Sequence, residues 1–129
     1  MANQFLAGKR ALITHADQFM GPALCDSFRR HGATVIADTS ALLTPDAPAA
    51  LIAGAGDLDI LVINLALKAP TTPLDQIEDS EWQAAFQALV DPLPRLVRAV
   101  VPTMKAKKRG KILVMGSASA LRGMKNCAT

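Results

Sequence analysis

Four short apolar runs, separated by longer stretches, limit the folds that this sequence can adopt. Each run is rich in Ile, Val or Leu over only a few residues, which is typical of strands that are buried on both faces. The stretches between them alternate apolar and polar residues with the period of amphipathic helices. This order predicts an α/β fold built on a doubly wound parallel sheet. We predict the strands at residues 10–14, 34–37, 60–64 and 111–115.

The helices between these strands differ in the strength of their pattern. A weak, alanine-rich helix is predicted over 45–54. The link from the second predicted strand to residue 60 is short for a strand plus a helix, so any further strand within it must be brief. A stronger helix begins near Ser80, which has the spacing to Gln83 of a capping box. Prolines within 91–94 interrupt its apolar pattern before it resumes. We therefore predict either two helical segments or one kinked helix, ending before Gly110.

The composition fits one small domain with a hydrophobic core. Half of the 129 residues are hydrophobic, which is sufficient to bury a core. The sequence has neither a basic start followed by an apolar segment nor an apolar run of about 20 residues. We therefore expect a cytoplasmic protein that has no membrane partner.

The basic residues of the chain cluster near one predicted helix end. No aromatic side chains stand between these cations to stack on bases, so we expect no nucleic-acid partner. We interpret the cluster as the solvated C-terminal turn of a helix, where cations complement the helix dipole. It accounts for much of the net charge of +3 and comprises Lys105, Lys107, Lys108, Arg109 and Lys111.

Cysteine and histidine residues do not form a metal or redox pattern. Cys25 and Cys127 lie far apart without the spacing of a metal or redox site, and we predict that both are reduced, buried thiols. His15 and His31 have no carboxylate or cysteine at useful spacing. We therefore predict no metal site and assign neither histidine a catalytic role.

The segment from Thr14 to Gly21 follows the first predicted strand and precedes a helix. In a dinucleotide-binding fold this place holds a glycine-rich turn that contacts a pyrophosphate. Here His15 and Phe19 stand where glycines would be expected. Because the Phe19 side chain fills space that a phosphate needs, the site is either lost or adapted to a smaller ligand.

The order of these motifs resembles that of the short-chain dehydrogenase/reductase superfamily over essentially the whole chain. Residues 59–66 are similar to the fourth-strand motif of that family, and residues 110–117 are similar to its fifth strand. The resemblance implies that residues 1–129 are the N-terminal part of a single Rossmann-like domain. It also implies that Ser117 is the catalytic serine.

Two departures from the superfamily pattern resemble its halohydrin dehalogenase branch. Leu89 stands seven residues after Trp82, where the dehydrogenases have an active-site asparagine, and leucine cannot hold the water of a proton relay. Thr14, Phe19 and Gly21 fit the motif of the branch, which is a threonine, four residues, a Phe or Tyr, one residue and a glycine.

The same branch carries a serine, twelve residues, a tyrosine, three residues and an arginine. Counted from Ser117, the tyrosine falls at position 130 and the arginine at position 134, whereas the sequence ends at Thr129.

The resemblance implies a full-length lyase that converts vicinal halohydrins to epoxides and halide without a nucleotide cofactor. Ser117 would bind the substrate oxygen, and the expected tyrosine would remove the hydroxyl proton. The halide and substrate pocket would include Phe19, Thr14, Gly21 and Asn64.

Other interpretations of these residues remain open. A divergent NAD(P)-dependent oxidoreductase is indicated by Gly21, Asp38 and Asn64, which would then bind NAD or NADP. Asp38 also fits an ordinary turn aspartate, and the Asn64 amide fits a structural bridge between strands. Phe19 also fits a core aromatic, and we expect Thr14 to bond to the turn backbone.

A third interpretation is a non-catalytic fragment or binding module, because the sequence ends before the expected tyrosine. For the full-length protein we expect a homo-oligomer. A complementary C-terminal chain is the other partner that would cover the open edge of the predicted sheet.

Overall fold

The computed structural model describes residues 3–126 and contains one parallel sheet of four strands in the order β2-β1-β3-β4. In the register of the sheet, Leu12 lies between Ile36 and Leu61, and Leu61 pairs in turn with Ile112. The predicted parallel sheet is thus confirmed, and three strands end one residue earlier than predicted. The strands are β1 (Arg10–Ile13), β2 (Thr34–Ala37), β3 (Ile60–Ile63) and β4 (Lys111–Val114).

Helices cover both faces of this sheet. The helices are α1 (Gly21–Arg30), α2 (Ala47–Ala55), α3 (Asp79–Leu89) and α4 (Pro92–Ala106). Single turns of 3₁₀-helix lie at Leu74–Gln76 and Ala118–Leu121. Across the part of the chain that the structure describes, no helix is long and apolar enough to cross a membrane.

Side chains of the central strands alternate between two hydrophobic clusters. Leu12 and Leu61 pack in the cluster that includes Ile52 of α2 and Leu96 of α4. Their strand neighbours pack in a second cluster with Cys25 of α1, and these neighbours are Ala11, Ile13, Ile60 and Val62. Because successive side chains of a strand point to opposite faces, the apolar runs supply both clusters, and the sheet is doubly wound as predicted.

The capping box predicted at Ser80 is wrong. Helix α3 begins at Asp79 with Glu78 in the N-cap position, and the Glu78 side chain makes no capping hydrogen bond. Ser80 therefore lies inside the first turn, where its hydroxyl donates to Glu78 Oε2 at 3.3 Å. Asp79 and Glu81 instead place negative charge at the helix start, which complements the helix dipole.

The interrupted helical region forms two helices. Val90 and Asp91 separate α3 from α4, and Pro92 stands at the start of α4. Proline fits this position because its fixed φ suits a first turn and its missing N–H would have no helical partner there. Of the two predicted alternatives, two helical segments and one kinked helix, the structure has the first.

The basic cluster is only partly the solvated helix end that the sequence predicted. Lys107 Nζ lies 2.6 Å from Asp57 Oδ1 and donates to the carbonyl oxygen of Leu58 at 2.7 Å. Arg109 Nε lies 3.3 Å from Asp59 Oδ1. These contacts fasten the end of α4 to the segment that enters β3, so the two cations have a structural role.

Candidate functional site

A cavity of about 610 Å³ lies at the carboxyl ends of β3 and β4. The chain places β2 on one side of β1 and β3 on the other, so a topological switch point lies between β1 and β3. Ligands of open α/β sheets bind outside the carboxyl ends of the strands at such a point. The cavity wall is formed by the turn after β1, the loops after β3 and β4, the end of α3 and the start of α4, and it includes Phe19, Ala66, Leu89, Leu93 and Ser117.

The turn after β1 keeps a backbone shape that normally suits glycine. His15 has φ of 44° and Phe19 has φ of 51°, both in the left-handed region. A bulky residue in this region costs on the order of 1–3 kcal/mol. The two residues that replace the expected glycines therefore preserve the turn geometry and add side chains to it.

Phe19 presents its side chain to the cavity. It is 59% exposed and lines the same cavity as Leu89 and Ser117. The alternative that Phe19 is a core aromatic is therefore wrong, because the side chain is exposed and belongs to neither hydrophobic cluster. Phe19 forms part of the wall of a ligand-sized space.

Gly21 begins α1 where the helix comes very close to the turn. An added Cβ would lie 2.5 Å from the carbonyl oxygen of His15 and 2.6 Å from the carbonyl carbon and oxygen of Ala16. The glycine therefore permits close contact between backbone segments. Gly21 does not line the cavity, although the sequence placed it in the pocket.

Thr14 and Asn64 are fully buried beneath the turn and do not line the cavity. Thr14 Oγ1 bonds to the backbone of Asn64, and not to the turn backbone as predicted. This partner follows from the sheet, because β1 pairs with β3 and Asn64 comes directly after β3. The Asn64 side-chain amide donates to the carbonyl oxygens of His15 at 3.0 Å and Gln18 at 3.1 Å. It therefore supports the turn.

His15, which sequence reasoning left without a role, connects the two loops at the switch point. Its side chain is buried, and its Nδ1 accepts a hydrogen bond from the backbone amide of Ala66 at 3.0 Å. The loss of a glycine at this turn position was the available sequence signal. The partner could not be identified in that way, because it follows a different strand.

Ser117 follows β4 and caps the 3₁₀-turn at Ala118–Leu121. Its Oγ accepts from the backbone amide of Ser119 at 3.3 Å and lies 2.7 Å from Ser119 Oγ. Ser117 is exposed and lines the cavity together with Phe19 and Leu89. The structure thus brings together three of the five residues that carried the halohydrin dehalogenase resemblance in the sequence, whereas Thr14 and Gly21 lie outside the cavity.

Asp38 lies at the end of β2, beside the turn. Its carbonyl oxygen accepts from the Ala16 amide at 2.7 Å, and its Oδ1 accepts from the Ser40 amide at 3.3 Å and the Ser40 hydroxyl at 2.7 Å. This is the local bonding of a turn aspartate. Its Oδ2 is buried and has no hydrogen-bond partner among the residues that the structure describes.

The remaining titratable candidates do not add a reactive group. Burial raises the pKa of the Cys25 thiol, so this side chain is a poor nucleophile at neutral pH. Cys127 lies outside the described residues. Within residues 3–126, no group of three or more His, Cys, Asp or Glu side chains is placed to hold a metal ion.

Comparison with known proteins identifies the family. The family model for short chain dehydrogenases matches residues 44–129. The protein belongs to the short chain dehydrogenase family.

The protein is 32% identical to 2-keto-3-deoxy-L-fuconate dehydrogenase of Xanthomonas campestris, over 96% of this chain and 48% of that protein. It is 30% identical to YvaG of Bacillus subtilis, which is described as an uncharacterized oxidoreductase, over 90% of this chain and 53% of that protein. The chain thus spans about half the length of these curated relatives.

Solved structures show the same fold. A structure described as a dehalogenation enzyme superposes with a TM-score of 0.85 at 30% identity, covering 95% of this chain and 59% of that one. L-sorbose reductase from Gluconobacter frateurii, complexed with NADPH and L-sorbose, has a TM-score of 0.87 at 23% identity. It covers 98% of this chain and 59% of that one. The predicted Rossmann-like class is confirmed, and family relatives include both oxidoreductases and a dehalogenation enzyme.

Proposed function

We propose that the full-length protein is a halohydrin dehalogenase-like lyase, which converts a vicinal halohydrin to an epoxide and a halide ion without a nucleotide cofactor. One observation carries this proposal. Phe19 adopts the backbone conformation of a turn glycine and exposes its ring to the cavity that Ser117 lines. The 30% identity to a solved dehalogenation enzyme supports it.

The turn residues fit a dinucleotide poorly. In dinucleotide-binding folds the backbone of this turn approaches the pyrophosphate, which requires a residue without a side chain. Here the Phe19 side chain is exposed at that position. A single halide ion needs far less space, and an apolar wall with aromatic edges suits a weakly hydrated anion. The proposed reaction therefore has no hydride transfer.

The proposed chemistry is an intramolecular displacement. Ser117 Oγ would donate a hydrogen bond to the substrate hydroxyl oxygen, and the tyrosine expected at position 130 would accept the hydroxyl proton. The oxygen then forms a bond to the adjacent carbon as the carbon–halogen bond breaks. The halide leaves with the bonding electron pair toward the wall that Phe19 forms.

The position of Leu89 is consistent with this chemistry. Leu89 lines the cavity with Ser117, and its side chain has no hydrogen-bonding group. A water-mediated proton relay at this position would need a polar side chain. The displacement requires only that one proton pass from the substrate to the neighbouring base.

Bromide release from the full-length protein tests the proposal. A small vicinal bromohydrin should give epoxide and bromide in equal amounts with no nicotinamide cofactor added. The Ser117→Ala variant should lose about 100-fold or more in kcat, as expected when a donor to the reacting oxygen is removed. Ser80→Ala is the matched control, because Ser80 is an exposed serine outside the cavity, and it should leave kcat nearly unchanged.

Titration of the same protein with NADH and NADPH completes the test. We expect no binding at micromolar concentrations. Micromolar binding of either cofactor, together with no bromide release, would contradict the proposed function.

An NAD(P)-dependent oxidoreductase is the second candidate, and one observation favours it. Asp38 keeps a buried Oδ2 that has no partner within residues 3–126, next to the turn. An acidic residue in this region of the fold bonds to the ribose of NAD, and the sorbose reductase structure contains NADPH. If this candidate is right, NADH binds and the Asp38→Ala variant binds it at least about tenfold more weakly.

A further inference from the structure

Two loops that form different parts of the cavity wall meet at His15. Phe19 lines the cavity from the turn after β1, whereas Leu65, Ala66 and Leu67 line it from the loop after β3. His15 belongs to the first loop, and its Nδ1 accepts a hydrogen bond from the Ala66 amide of the second loop at 3.0 Å. The two parts of the wall are therefore joined directly through one imidazole.

A second hydrogen bond is also donated by the segment after β3 and accepted by His15. The Asn64 side-chain amide donates to the carbonyl oxygen of His15 at 3.0 Å. We call the pair of bonds, His15 Nδ1 to Ala66 N and Asn64 Nδ2 to His15 O, the His15 clasp. The first bond requires an unprotonated Nδ1, so the ring proton lies on Nε2. Any residue at position 15 can accept the second bond through its carbonyl oxygen, but only a side-chain acceptor can replace the first.

The backbone at His15 indicates that its side chain contributes to the site. With φ of 44°, position 15 would suit glycine without strain. A histidine is less favourable in that conformation. The imidazole, however, accepts a hydrogen bond from the Ala66 amide. A glycine at position 15 has no side chain to accept that bond. His15 as a whole is only 8% exposed, so water competes little for this hydrogen bond.

We propose that His15 is a positioning residue for the cavity, holding the Ala66 loop at a fixed place relative to the turn that carries Phe19. The identity of the ligand rests on the proposed function, whereas the clasp itself does not. If the cavity receives the halohydrin and its halide, the distance between Phe19 and the Ala66 loop sets the space available to them. Fixed walls bind such a ligand without first having to be ordered.

Two substitutions in the full-length protein separate the backbone from the side chain of His15. Glycine and asparagine both tolerate positive φ, so neither His15→Gly nor His15→Asn should strain the turn. Only asparagine brings an acceptor, because its Oδ1 occupies a place similar to that of the histidine Nδ1. The contrast between the two variants therefore isolates the bond to Ala66. Circular dichroism and thermal melting show whether each variant is folded, and His15→Ala replaces His15→Gly if the latter is not.

The two variants should differ in their steady-state kinetics and in the hydrogen exchange of the Ala66 amide. In His15→Gly, the KM for a vicinal bromohydrin and the inhibition constant for bromide should each rise about tenfold, with a smaller change in kcat. The Ala66 amide should also exchange its hydrogen at least about tenfold faster. His15→Asn should restore each of these quantities to within about threefold of the original protein.

Several results would overturn the inference. Equal kinetics and equal exchange in the two variants would exclude a role for the side-chain acceptor. Faster Ala66 exchange with unchanged KM and bromide inhibition would show a structural bond with no effect on the site. If the original protein releases no bromide, the proposed function fails, and the exchange contrast then decides whether the clasp exists.

Discussion

Thr14 and Asn64, which are 50 residues apart in the chain, are joined by two hydrogen bonds at the carboxyl ends of β1 and β3. Thr14 Oγ1 accepts from the Asn64 backbone amide at 2.9 Å and donates to the Asn64 carbonyl oxygen at 3.2 Å. Both residues are fully buried. Since the turn starts directly after Thr14 and the Ala66 loop directly after Asn64, this pair fixes where both parts of the site begin.

The first prediction follows from that pair. Thr14→Val keeps the shape of the side chain but removes its hydroxyl, which leaves the Asn64 amide and carbonyl without this partner. We expect a loss of about 1–3 kcal/mol in the free energy of unfolding, measured by urea denaturation of the full-length protein. Thr34→Val is the matched control at an exposed position of β2, and it should change stability by less than about 0.5 kcal/mol. Equal effects would contradict this role of Thr14.

The second prediction compares two glycines. Gly21→Ala would place Cβ within 2.6 Å of backbone atoms of Ala16, and these atoms cannot move without displacing the turn. We expect a loss of about 1–3 kcal/mol or more. Gly54→Ala is the control, because an added Cβ at this position of α2 meets open space. It should increase stability by about 0.5–1 kcal/mol. Both values come from the midpoints of chemical denaturation, and a harmless Gly21→Ala would exclude the close backbone contact.

The third prediction concerns acid stability. The Arg10 backbone amide donates to Asp59 Oδ2 at 3.0 Å, and this bond, with the nearby Lys107 and Arg109, holds the pKa of the Asp59 carboxyl below its ordinary value. Its contribution is therefore full well above the unfolded-state pKa of about 3.9. The contribution falls as the pH drops below that value and is lost once the pH passes the lower folded-state pKa.

Denaturation midpoints measured from neutral pH into the acid range check this expectation. Asp59→Asn should be less stable than the original protein at neutral pH, and the difference should shrink with acidification. Arg109→Gln, which keeps the carboxylate and removes one neighbouring cation, should show an intermediate pH dependence. A constant difference between Asp59→Asn and the original protein at every pH would contradict the assignment.

Strand positions were predictable because short apolar runs and the residues that flank them determine where the strands lie. The runs around Leu12 and Leu61 are apolar over the length of a buried strand, and flanking residues mark their ends, so the order and parallel arrangement follow from the alternation with helices. The start of α3 was not predictable in the same way. Ser80 and Gln83 match a capping pattern, but the acidic residues just before them provide an equally good helix start, and the helix begins there.

The site was only partly predictable for a physical reason. Phe19, Leu89 and Ser117 were identified because each occupies a motif position, and they meet at one cavity. The bond between His15 and Ala66 spans 51 residues and depends on the left-handed backbone at His15. A histidine in a sequence does not signal that conformation, whereas a glycine would. The sequence therefore indicated that the glycine was missing, and the geometry revealed what the replacement contacts.

The fourth prediction tests the role of Phe19 in the proposed reaction. Phe19→Gly removes the aromatic wall, so it should lower kcat/KM for a vicinal bromohydrin by about tenfold or more. Because glycine suits the φ of 51° at this position, the free energy of unfolding should change by less than about 1 kcal/mol. Phe19→Leu, which keeps an apolar wall, should lose less activity. Phe5→Leu is the control for an exposed aromatic outside the cavity, and it should leave bromide release unchanged. Full activity in Phe19→Gly, measured by bromide release from the full-length protein, would exclude Phe19 from the halide pocket.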